Sequence, residues 1–379
     1  MEKKVAVVPC PDYGSETVKA ALAAAVEAAG GLGWVRPGMR IAVKTNLVAR
    51  MKPETAAVTH PALVAELCRM LVSLGADVVV GDSPGGPFNA AWVNGVYAGS
   101  GIRAVEAAGA HLNADFETRE VDYPAGRTAK RLPLTAWLLE ADAVIDFAKL
   151  KTHAMAGMTC AVKNFFGAIP GTRKPEFHYS YPRTADFCSM LVDLSEFFAP
   201  RLTLVDAVDC MEGNGPTQGR PRHMGALIAS PSPWAADLLC AHLIGFEPQE
   251  VPTVAASIER GLCPASWEEL DIAGDIAPFC APDFEKMPLD GDITFENKPR
   301  LIRAFLERGF AARPQVDRAK CVGCGRCREV CPAGAAQLKG KKARIDRSKC
   351  IRCFCCQEFC PRGAITSRRP AIAKIASKL

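Results

Sequence analysis

A chain of 379 residues, 49% of them apolar and 23% charged, is long enough for two or three domains and has the balance of an ordinary globular protein. Its apolar residues never run for eighteen positions, which argues against a membrane span, and the apolar run near Met1 is too short for a signal peptide. We therefore expect a cytoplasmic protein.

Strand-like and helix-like segments alternate through residues 1–300. Predicted strands lie at 5–8, 40–44, 77–80, 143–147, 202–205 and 226–228. Predicted helices lie at 15–29, 61–74, 184–198 and 233–244. Short, continuously apolar strands separated by helices are typical of a parallel sheet covered on both faces. The sequence therefore predicts an α/β fold with a doubly wound, largely parallel sheet.

Polar residues follow several of these strands. They are Lys44-Thr45-Asn46, Gly81-Asp82-Ser83-Pro84-Gly85-Gly86, Lys149-Leu150-Lys151-Thr152-His153, Asp206 and Met211-Glu212-Gly213-Asn214-Gly215-Pro216. Ligands of doubly wound sheets bind outside the carboxyl ends of the strands. Lysines and acids gathered at one sheet edge favour a ligand pocket there over ordinary polar loops.

Six motifs carry a resemblance to a known family. They are Lys44-x-Asn46, Thr59-His60-Pro61, Gly81 to Gly86, Lys149 to His153, Val162-Lys163-Asn164-Phe165-Phe166-Gly167 and Met211-Glu212-Gly213-x-Gly215-Pro216. In combination they resemble the uncharacterised family catalogued as domain of unknown function 362, over about residues 5–246. The resemblance implies an α/β body and a C-terminal two-cluster ferredoxin segment, which members often carry. It implies no particular reaction.

The lysines of these motifs suit an anionic ligand. Near one sheet edge they would form a cationic basin for carboxylate or phosphate groups, so we expect a small anionic substrate. The residues expected to be catalytic are Lys151, His153, Asp82 and Lys163. The residues expected to bind substrate are Lys44, Asn46, Ser83, Lys149, Asn164 and Glu212. The alternative for any single lysine is a solvated surface charge, and for the aspartate it is a turn or helix cap.

Three histidines are candidates for proton transfer, because imidazole titrates near neutrality. His153 is the preferred one, His178 is another, and His60 precedes a proline at a helix start, where it could act only as a cap. A mononuclear metal held by His153, His178, Asp206 and Glu212 would match no familiar ligand spacing. No G-x-G-x-x-G or P-loop pattern occurs, so a further metal or a flavin is left open but not indicated.

Nine of the 17 cysteines lie between residues 321 and 360, and eight of them form two copies of Cys-x-x-Cys-x-x-Cys-x-x-x-Cys-Pro, 29 residues apart. This spacing is typical of bacterial two-cluster ferredoxins, in which the fourth cysteine of each copy ligates the other cluster. It predicts two [4Fe–4S] clusters. Their expected ligands are Cys321, Cys324, Cys327 and Cys360 for cluster 1, and Cys350, Cys353, Cys356 and Cys331 for cluster 2. The alternative is a pair of zinc sites, although zinc modules usually use paired C-x-x-C.

The ninth cysteine, Cys355, adjoins a ligand and is expected to be a spectator, with a swap ligand as the alternative. Residues 337–346, between the two copies, are expected to form the small hairpin of a ferredoxin-like α+β domain. The predicted organisation is an α/β domain at 1–300, a linker helix at 301–313, a ferredoxin domain at 314–370 and a tail at 371–379.

Charge is distributed unevenly along the chain. Residues 314–379 hold 16 Lys/Arg and 4 Asp/Glu, a balance of +12, which leaves residues 1–313 at −7. No helix-turn-helix or aromatic-interleaved pattern accompanies the basic residues, so we expect no nucleic-acid partner. Part of the excess would offset the negative charge of the clusters. The remainder could face the acidic body or an acidic electron carrier.

The favoured function is a ferredoxin-linked reductase, in which the clusters take low-potential electrons from a ferredoxin, flavodoxin or other donor and pass them to the anionic substrate. One alternative is a non-catalytic electron-transfer subunit whose α/β body docks a partner enzyme. Another is a non-redox enzyme with structural or oxygen-sensing clusters. The sequence does not indicate an oligomeric state.

Overall fold

Alternating strands and helices build the larger part of the molecule, as the periodicity predicts. A computed structural model describes residues 1–287 and 311–369. Strands β1 to β15 are Lys4–Pro9, Arg40–Thr45, Asp77–Gly81, His111–Leu112, Thr118–Asp122, Arg131–Thr135, Ala143–His153, Gly157–Thr159, Leu202–Glu212, Arg220–Ser230, Asp271–Ala273, Arg313–Val316, Ala336–Lys339, Lys342–Ile345 and Ile365–Arg368. Helices α1 to α11 of the same residues are Ser15–Ala28, Pro61–Ser73, Ala90–Ser100, Ala136–Leu139, Ala161–Asn164, Lys174–Ser180, Thr184–Phe198, Pro233–Leu243, Pro252–Glu259, Arg326–Glu329 and Cys355–Glu358.

The central sheet has the strand order β11-β1-β10-β9-β7-β2-β3-β4, with β8 paired to β7. Strands β9, β7, β2, β3 and β4 run parallel to one another. Strand β10 is antiparallel to both β9 and β1. The reason is its connection: β9 and β10 are joined by the short loop 213–219, which allows a hairpin but is too short for a crossover to a parallel strand. The α/β fold and the largely parallel sheet are confirmed.

Both faces of the sheet are buried. Successive residues of one strand point to opposite faces, so that Ala6 packs with α1 and α2 while Val5 and Val7 pack with α8. This two-sided burial gives the continuous apolar strands of the sequence.

Strands β7, β9 and β10 are much longer than predicted, and the extensions of β7 and β9 bring charged residues into the sheet. Strand β7 continues to His153 with all eleven residues buried, and β9 continues to Glu212. Strand β8 pairs with the end of β7, placing Lys151 opposite Thr159. Lys149 lies opposite Asp206 of β9. Lys151, predicted to lie in a loop, is therefore held by backbone pairing on both sides, and Lys149 is paired with β9.

The cysteine-rich part folds as two small sheets. Strand β12 pairs with β15, and β13 pairs with β14 in the hairpin expected at 337–346. The short helices α10 and α11 each carry a cysteine of the two motif copies. Most of the predicted linker helix at 301–313 and the tail at 371–379 lie outside the described residues. Over residues 1–287 and 311–369, no helix combines the length and apolar character that crossing a bilayer requires.

Candidate functional site

A buried ion pair lies at the carboxyl ends of β2 and β3. Lys44 Nζ is 2.9 Å from Asp82 Oδ1, and both side chains are at most 5% exposed. The other carboxylate oxygen accepts a 2.7 Å hydrogen bond from the Leu47 backbone N–H. Gly167 fits against this pair, and a Cβ atom there would lie 2.5 Å from Lys44 Nζ and closer still to Asp82 Oδ1. Glycine at 167 therefore permits the pair to form.

Asn164 connects this pair to the middle of the sheet. Its Oδ1 accepts hydrogen bonds from Asn46 Nδ2 (3.1 Å) and Lys44 Nζ (3.3 Å). Its Nδ2 donates to Asp146 Oδ1 at 2.7 Å. Complete burial raises the pKa of Asp146 well above its usual value, although Asn164 and Lys44 oppose the rise. Burial thus favours a neutral carboxyl group at the centre of the network.

Lys151 lies beside this network and has no carboxylate partner in the part of the chain that the structure describes. Its Nζ donates to Asn46 Oδ1 (2.9 Å) and to the Ala57 carbonyl (2.6 Å), and the residue is 1% exposed. Burial, helped by the positive charge of Lys163, lowers the pKa of Lys151 to about 7. This lysine can therefore exchange a proton near neutral pH.

Lys149 is engaged in a second buried ion pair. Its Nζ is 2.8 Å from Asp206 Oδ2, and that carboxylate also accepts from the Tyr13 hydroxyl (3.0 Å) and the His60 backbone N–H (2.9 Å). The rings of Tyr13 and His60 stack 3.5 Å apart. His60 Nδ1 accepts a hydrogen bond from the Ala62 N–H at 3.3 Å, so this histidine caps α2. Lys149 and His60 thus hold the sheet edge together.

Lys163 and Lys174 are less buried than the lysines described above. Among the described residues, Lys163 Nζ has no hydrogen bond or ion pair, and it lies 6.0 Å from the centre of the Phe166 ring. Lys174 Nζ donates to the Ser83 carbonyl, while Ser83 Oγ accepts from the Gly171 N–H at 2.8 Å. Burial lowers the pKa of Lys163, and it lowers that of Lys174 to about 8.

Two buried histidines adjoin these lysines. His153 Nδ1 accepts hydrogen bonds from the Met155 and Ala156 N–H groups, both at 3.1 Å. Burial and nearby lysine charge hold the pKa of His153 well below its usual range, so the neutral ring keeps its proton on Nε2. His178 stacks on Phe187 at 4.3 Å, and within the described residues its Nδ1 has no hydrogen-bond partner. Burial lowers its pKa to about 3.

These side chains form one electrostatic unit. The positive charge of Lys163 lowers the pKa of four neighbouring groups, which are Lys151, His153, Lys174 and His178. We call this group the lysine site; its members are Lys151, Lys163, Lys174, His153 and His178. The unit has three lysines and two neutral histidines, which suits it to an anion.

Glu212 lies apart from the lysine site. Its Oε1 accepts from Arg220 Nε at 2.8 Å, and its Oε2 accepts from the Glu285 N–H at 3.0 Å. Asp206 is likewise occupied by its own ion pair. Within residues 1–287, no three His, Cys, Asp or Glu side chains are placed to hold a common metal ion.

Helix α11 of the cysteine-rich part packs against the body. Gln357 Nε2 donates to Asn214 Oδ1 at 2.6 Å, and Thr217 Oγ1 donates to the Glu358 carbonyl at 3.0 Å. The negative charge of the Glu358 carboxylate raises the pKa of all three lysines of the lysine site, against the effect of burial. Helix α11 therefore lies beside that site.

Two aromatic residues fix this contact. Phe354 is 4% exposed and packs in the same core as Val162 and Phe165. The Phe359 ring lies directly on Gly85, where it would overlap any Cβ atom. The loop that follows β3 therefore carries Asp82 at one end and receives the cysteine-rich part at the other.

Motif cysteines lie near one another in the cysteine-rich part. Cys321, Cys324, Cys327 and Cys360 line one cavity. Burial raises the pKa of Cys356 well above its usual value, and its strongest thiol neighbours are the three others of the second set, Cys353, Cys350 and Cys331.

The donors around the sulfurs also fit iron–sulfur clusters. The Ala343 N–H donates to Cys321 Sγ at 3.3 Å, and the Ala364 N–H donates to Cys360 Sγ at 3.2 Å. Such hydrogen bonds to thiolate sulfur tune cluster potentials. The Cys355 thiol is hydrogen-bonded to the Cys353 thiol and buried, and both effects raise the pKa of Cys355 well above its usual value.

Comparison with known proteins identifies both parts. The family model described as domain of unknown function 362 (DUF362) matches residues 41–242. The thylakoid-associated protein sll1697 of Synechocystis sp. is 34% identical over 276 residues, which cover 71% of this chain and 83% of that protein. The chain belongs to the DUF362 family. A model described as a 4Fe-4S dicluster domain matches residues 313–361, so the DUF362 domain is fused to an iron–sulfur domain.

Among solved structures, the chain is similar to the lactate racemase apoprotein from Thermoanaerobacterium thermosaccharolyticum. The two are 12% identical with a TM-score of 0.41, and the match covers 64% of this chain and 57% of the racemase chain. The whole lysine site, from Lys151 to His178, falls within the matched DUF362 region.

Three residues in or near the lysine site were not predicted from sequence. Asp146 is the single charge in the apolar strand Ala-Val-Ile-Asp-Phe-Ala, and that isolation was the available signal. Lys174 and Glu358 lie in segments whose sequence resembles ordinary surface helix, so only the fold brings them to the site.

Proposed function

We propose that this protein is an iron–sulfur oxidoreductase that binds a small anionic substrate at the lysine site. One observation carries the proposal: α11, which bears Cys356, packs against the body beside Lys163. If Cys356 is a cluster ligand, as its motif predicts, a cluster would lie next to a cationic site. Electron transfer is the usual role of such clusters, and it becomes faster as donor and acceptor approach.

The cysteines would hold two [4Fe–4S] clusters, with Cys321, Cys324, Cys327 and Cys360 at one and Cys350, Cys353, Cys356 and Cys331 at the other. When bound, the clusters supply one-electron redox chemistry at a potential set by their surroundings. The cavity lined by the first set and the N–H groups aimed at the sulfurs support this assignment.

The lysine site would bind and orient the substrate. Lys163 and Lys174 are placed to pair with a carboxylate or phosphate group, and Lys163 has no competing acceptor among the described residues. The neutral ring of His153 carries its proton at Nε2 and can donate a hydrogen bond from it to a substrate oxygen. The Lys44–Asp82 pair and Asn164 keep the surrounding loops in position.

The first test is binding of sulfate by wild type and by Lys163→Met. Removing the ammonium group deletes a charge-assisted hydrogen bond of about 1.5–3 kcal/mol, so sulfate affinity should fall about ten- to a hundredfold. Isothermal titration calorimetry measures this directly. The matched control is Lys19→Met, the same change on the exposed face of α1, which should bind sulfate like wild type. Equal binding by all three proteins would reject the lysine site as an anion site.

Sulfate affinity should also weaken as pH rises from 6 to 9. Lys151 has a pKa of about 7 and Lys174 of about 8, both lowered chiefly by burial, so positive charge is present below this window and lost through it. Sulfate keeps a constant charge over the window, so the trend reports on the protein. His178, with a pKa of about 3, stays neutral throughout. A pH-independent affinity would contradict the assignment of these lysines.

The redox part is tested separately, with the clusters reduced anaerobically and small anionic compounds added in turn. A true substrate should reoxidise the wild-type protein, as followed by recovery of visible absorption, and should do so at least tenfold more slowly in Lys163→Met. If reoxidation by that compound is as fast in the variant, the body acts instead as a docking part of an electron-transfer subunit.

A further inference from the structure

A groove on the outer side of the iron–sulfur domain is strongly basic. It runs along β12 and β15 and the β13–β14 hairpin and has a volume of about 940 Å³. Of the fourteen described residues that line it, seven are Arg or Lys and one, Asp346, is acidic. We call it the basic groove and define it by Arg318, Lys339, Arg344, Arg347 and Arg368.

The charges of the basic groove are not neutralised within the described protein. Arg344, Arg347 and Arg368 are exposed and form no ion pair with any residue of the described ranges. The Asp346 carboxylate accepts from the N–H and hydroxyl groups of Ser348, at 2.9 and 2.6 Å. Many exposed arginines of the body, by contrast, are paired with carboxylates, as Arg183 is with Asp186. A cluster of like charges left unpaired is costly unless a partner of opposite charge uses it.

The basic groove borders the second set of cysteines. Arg347, one of its residues, also lines a smaller cavity that contains Cys350. Cys356 of the same set lies on α11, the helix that packs against the body. This set of thiols therefore lies between the groove and the lysine site.

We propose that a small acidic electron-carrier protein, such as a flavodoxin or ferredoxin, docks in the basic groove. The inference rests on the proposed function and names the surface at which its electrons enter. In each encounter the reduced carrier gives up one electron and is oxidised, the iron–sulfur protein is reduced by one electron, and no bond or proton is exchanged. An acidic partner matches the groove in charge, and docking there brings the carrier next to Cys350.

The composition of the groove favours a protein over a nucleic acid. No aromatic side chain occurs among its fourteen described lining residues, so it offers no platform on which bases could stack. A motif cysteine, Cys350, lies at the border of the groove. This proximity suits electron transfer from a bound carrier and has no function in binding a nucleic acid.

The test compares Arg344→Glu and Arg347→Glu with Arg328→Glu in the cluster-loaded protein. Arg328 is an exposed arginine of α10 in the same domain but outside the basic groove, so all three variants change the charge equally. An acidic flavodoxin is the probe. Its Kd is measured by calorimetry, and the rate at which its reduced form reduces the clusters is measured by stopped flow, without substrate.

At low salt, we expect both groove variants to bind flavodoxin about tenfold more weakly than wild type and to be reduced by it about tenfold more slowly. Added salt should make the variants and wild type more alike in both quantities. Arg328→Glu should change either quantity less than about twofold. Reduction by dithionite should be equal in all proteins, which shows intact clusters.

Equal weakening by Arg328→Glu, or unchanged binding in the groove variants, would overturn the proposal. So would retention on duplex DNA that the groove variants lose, since that would identify a nucleic acid as the occupant. Because substrate is absent, failure here is distinguishable from failure of the lysine site, which is tested by sulfate binding.

Discussion

Replacing Gly167 by alanine is expected to lower the free energy of unfolding by about 3 kcal/mol. The added methyl group would overlap Asp82 Oδ1 and lie 2.5 Å from Lys44 Nζ. Neither partner can move freely, because Lys44 is fully buried and Asp82 is held by the Leu47 N–H. The variant must therefore separate a buried ion pair or displace the loop after β3. Urea unfolding monitored by circular dichroism measures the change.

Gly95→Ala is the matched control. Gly95 lies inside α3, and a Cβ atom there would meet nothing within 4 Å. The same substitution should therefore stabilise the protein slightly, by about 0.5–1 kcal/mol, because alanine favours helix. If Gly167→Ala is as stable as wild type, the space around the Lys44–Asp82 pair accepts a methyl group. The proposal that this tightly packed pair fixes the lysine site would then be wrong.

Pairs of cysteine variants should differ in how much iron they lose. If the fourth cysteine of each motif serves the other cluster, Cys331→Ser and Cys350→Ser remove ligands from the same cluster. The double variant should then lose about half of the iron. Cys321→Ser combined with Cys350→Ser removes one ligand from each cluster and should lose nearly all of it. Iron per protein chain, with electron paramagnetic resonance of the reduced samples, measures both.

Cys280→Ser serves as the control, because Cys280 is exposed and lies outside the motifs; it should keep all the iron. Cys355→Ser should also keep it if that residue is a spectator. Should the Cys331 and Cys350 pair lose as much iron as the Cys321 and Cys350 pair, each motif copy holds its own cluster. Zinc in place of iron in the purified protein would point to the zinc alternative.

Much of the fold could be predicted because its signals are local. Apolar strands such as 77–80 and amphipathic helices such as 61–74 show their structure in their own periodicity. The direction of β10 could not be predicted this way, because strands expected to end at 205 and begin at 226 do not look like the two arms of a hairpin. The C-terminal end of β7 was also missed, because Lys149 and Lys151 look like loop residues until both faces of the strand are known to be buried.

The lysine site was predicted in part. The strand-end rule brought Lys44, Lys151 and Asp82 to one edge, and the structure places them there. The strand-end rule could not separate the roles of these residues. Whether a lysine is paired depends on residues such as Asp206, which contacts Lys149 from the neighbouring strand. Sequence alone does not distinguish Lys163 from the paired lysines. Only the structure shows that, among the described residues, its ammonium group has no hydrogen-bond or ion-pair partner.

The loop from Gly81 to Gly86 serves both parts of the chain, with Asp82 paired to Lys44 and Gly85 lying under Phe359. The two domains are therefore not interchangeable modules. A ferredoxin domain grafted from another protein would need an aromatic ring at 359 and a residue like Gln357 to meet Asn214, and the host would need a glycine at 85. Substitutions at positions 85 and 359 are expected to occur together or not at all when the fusion is passed between lineages.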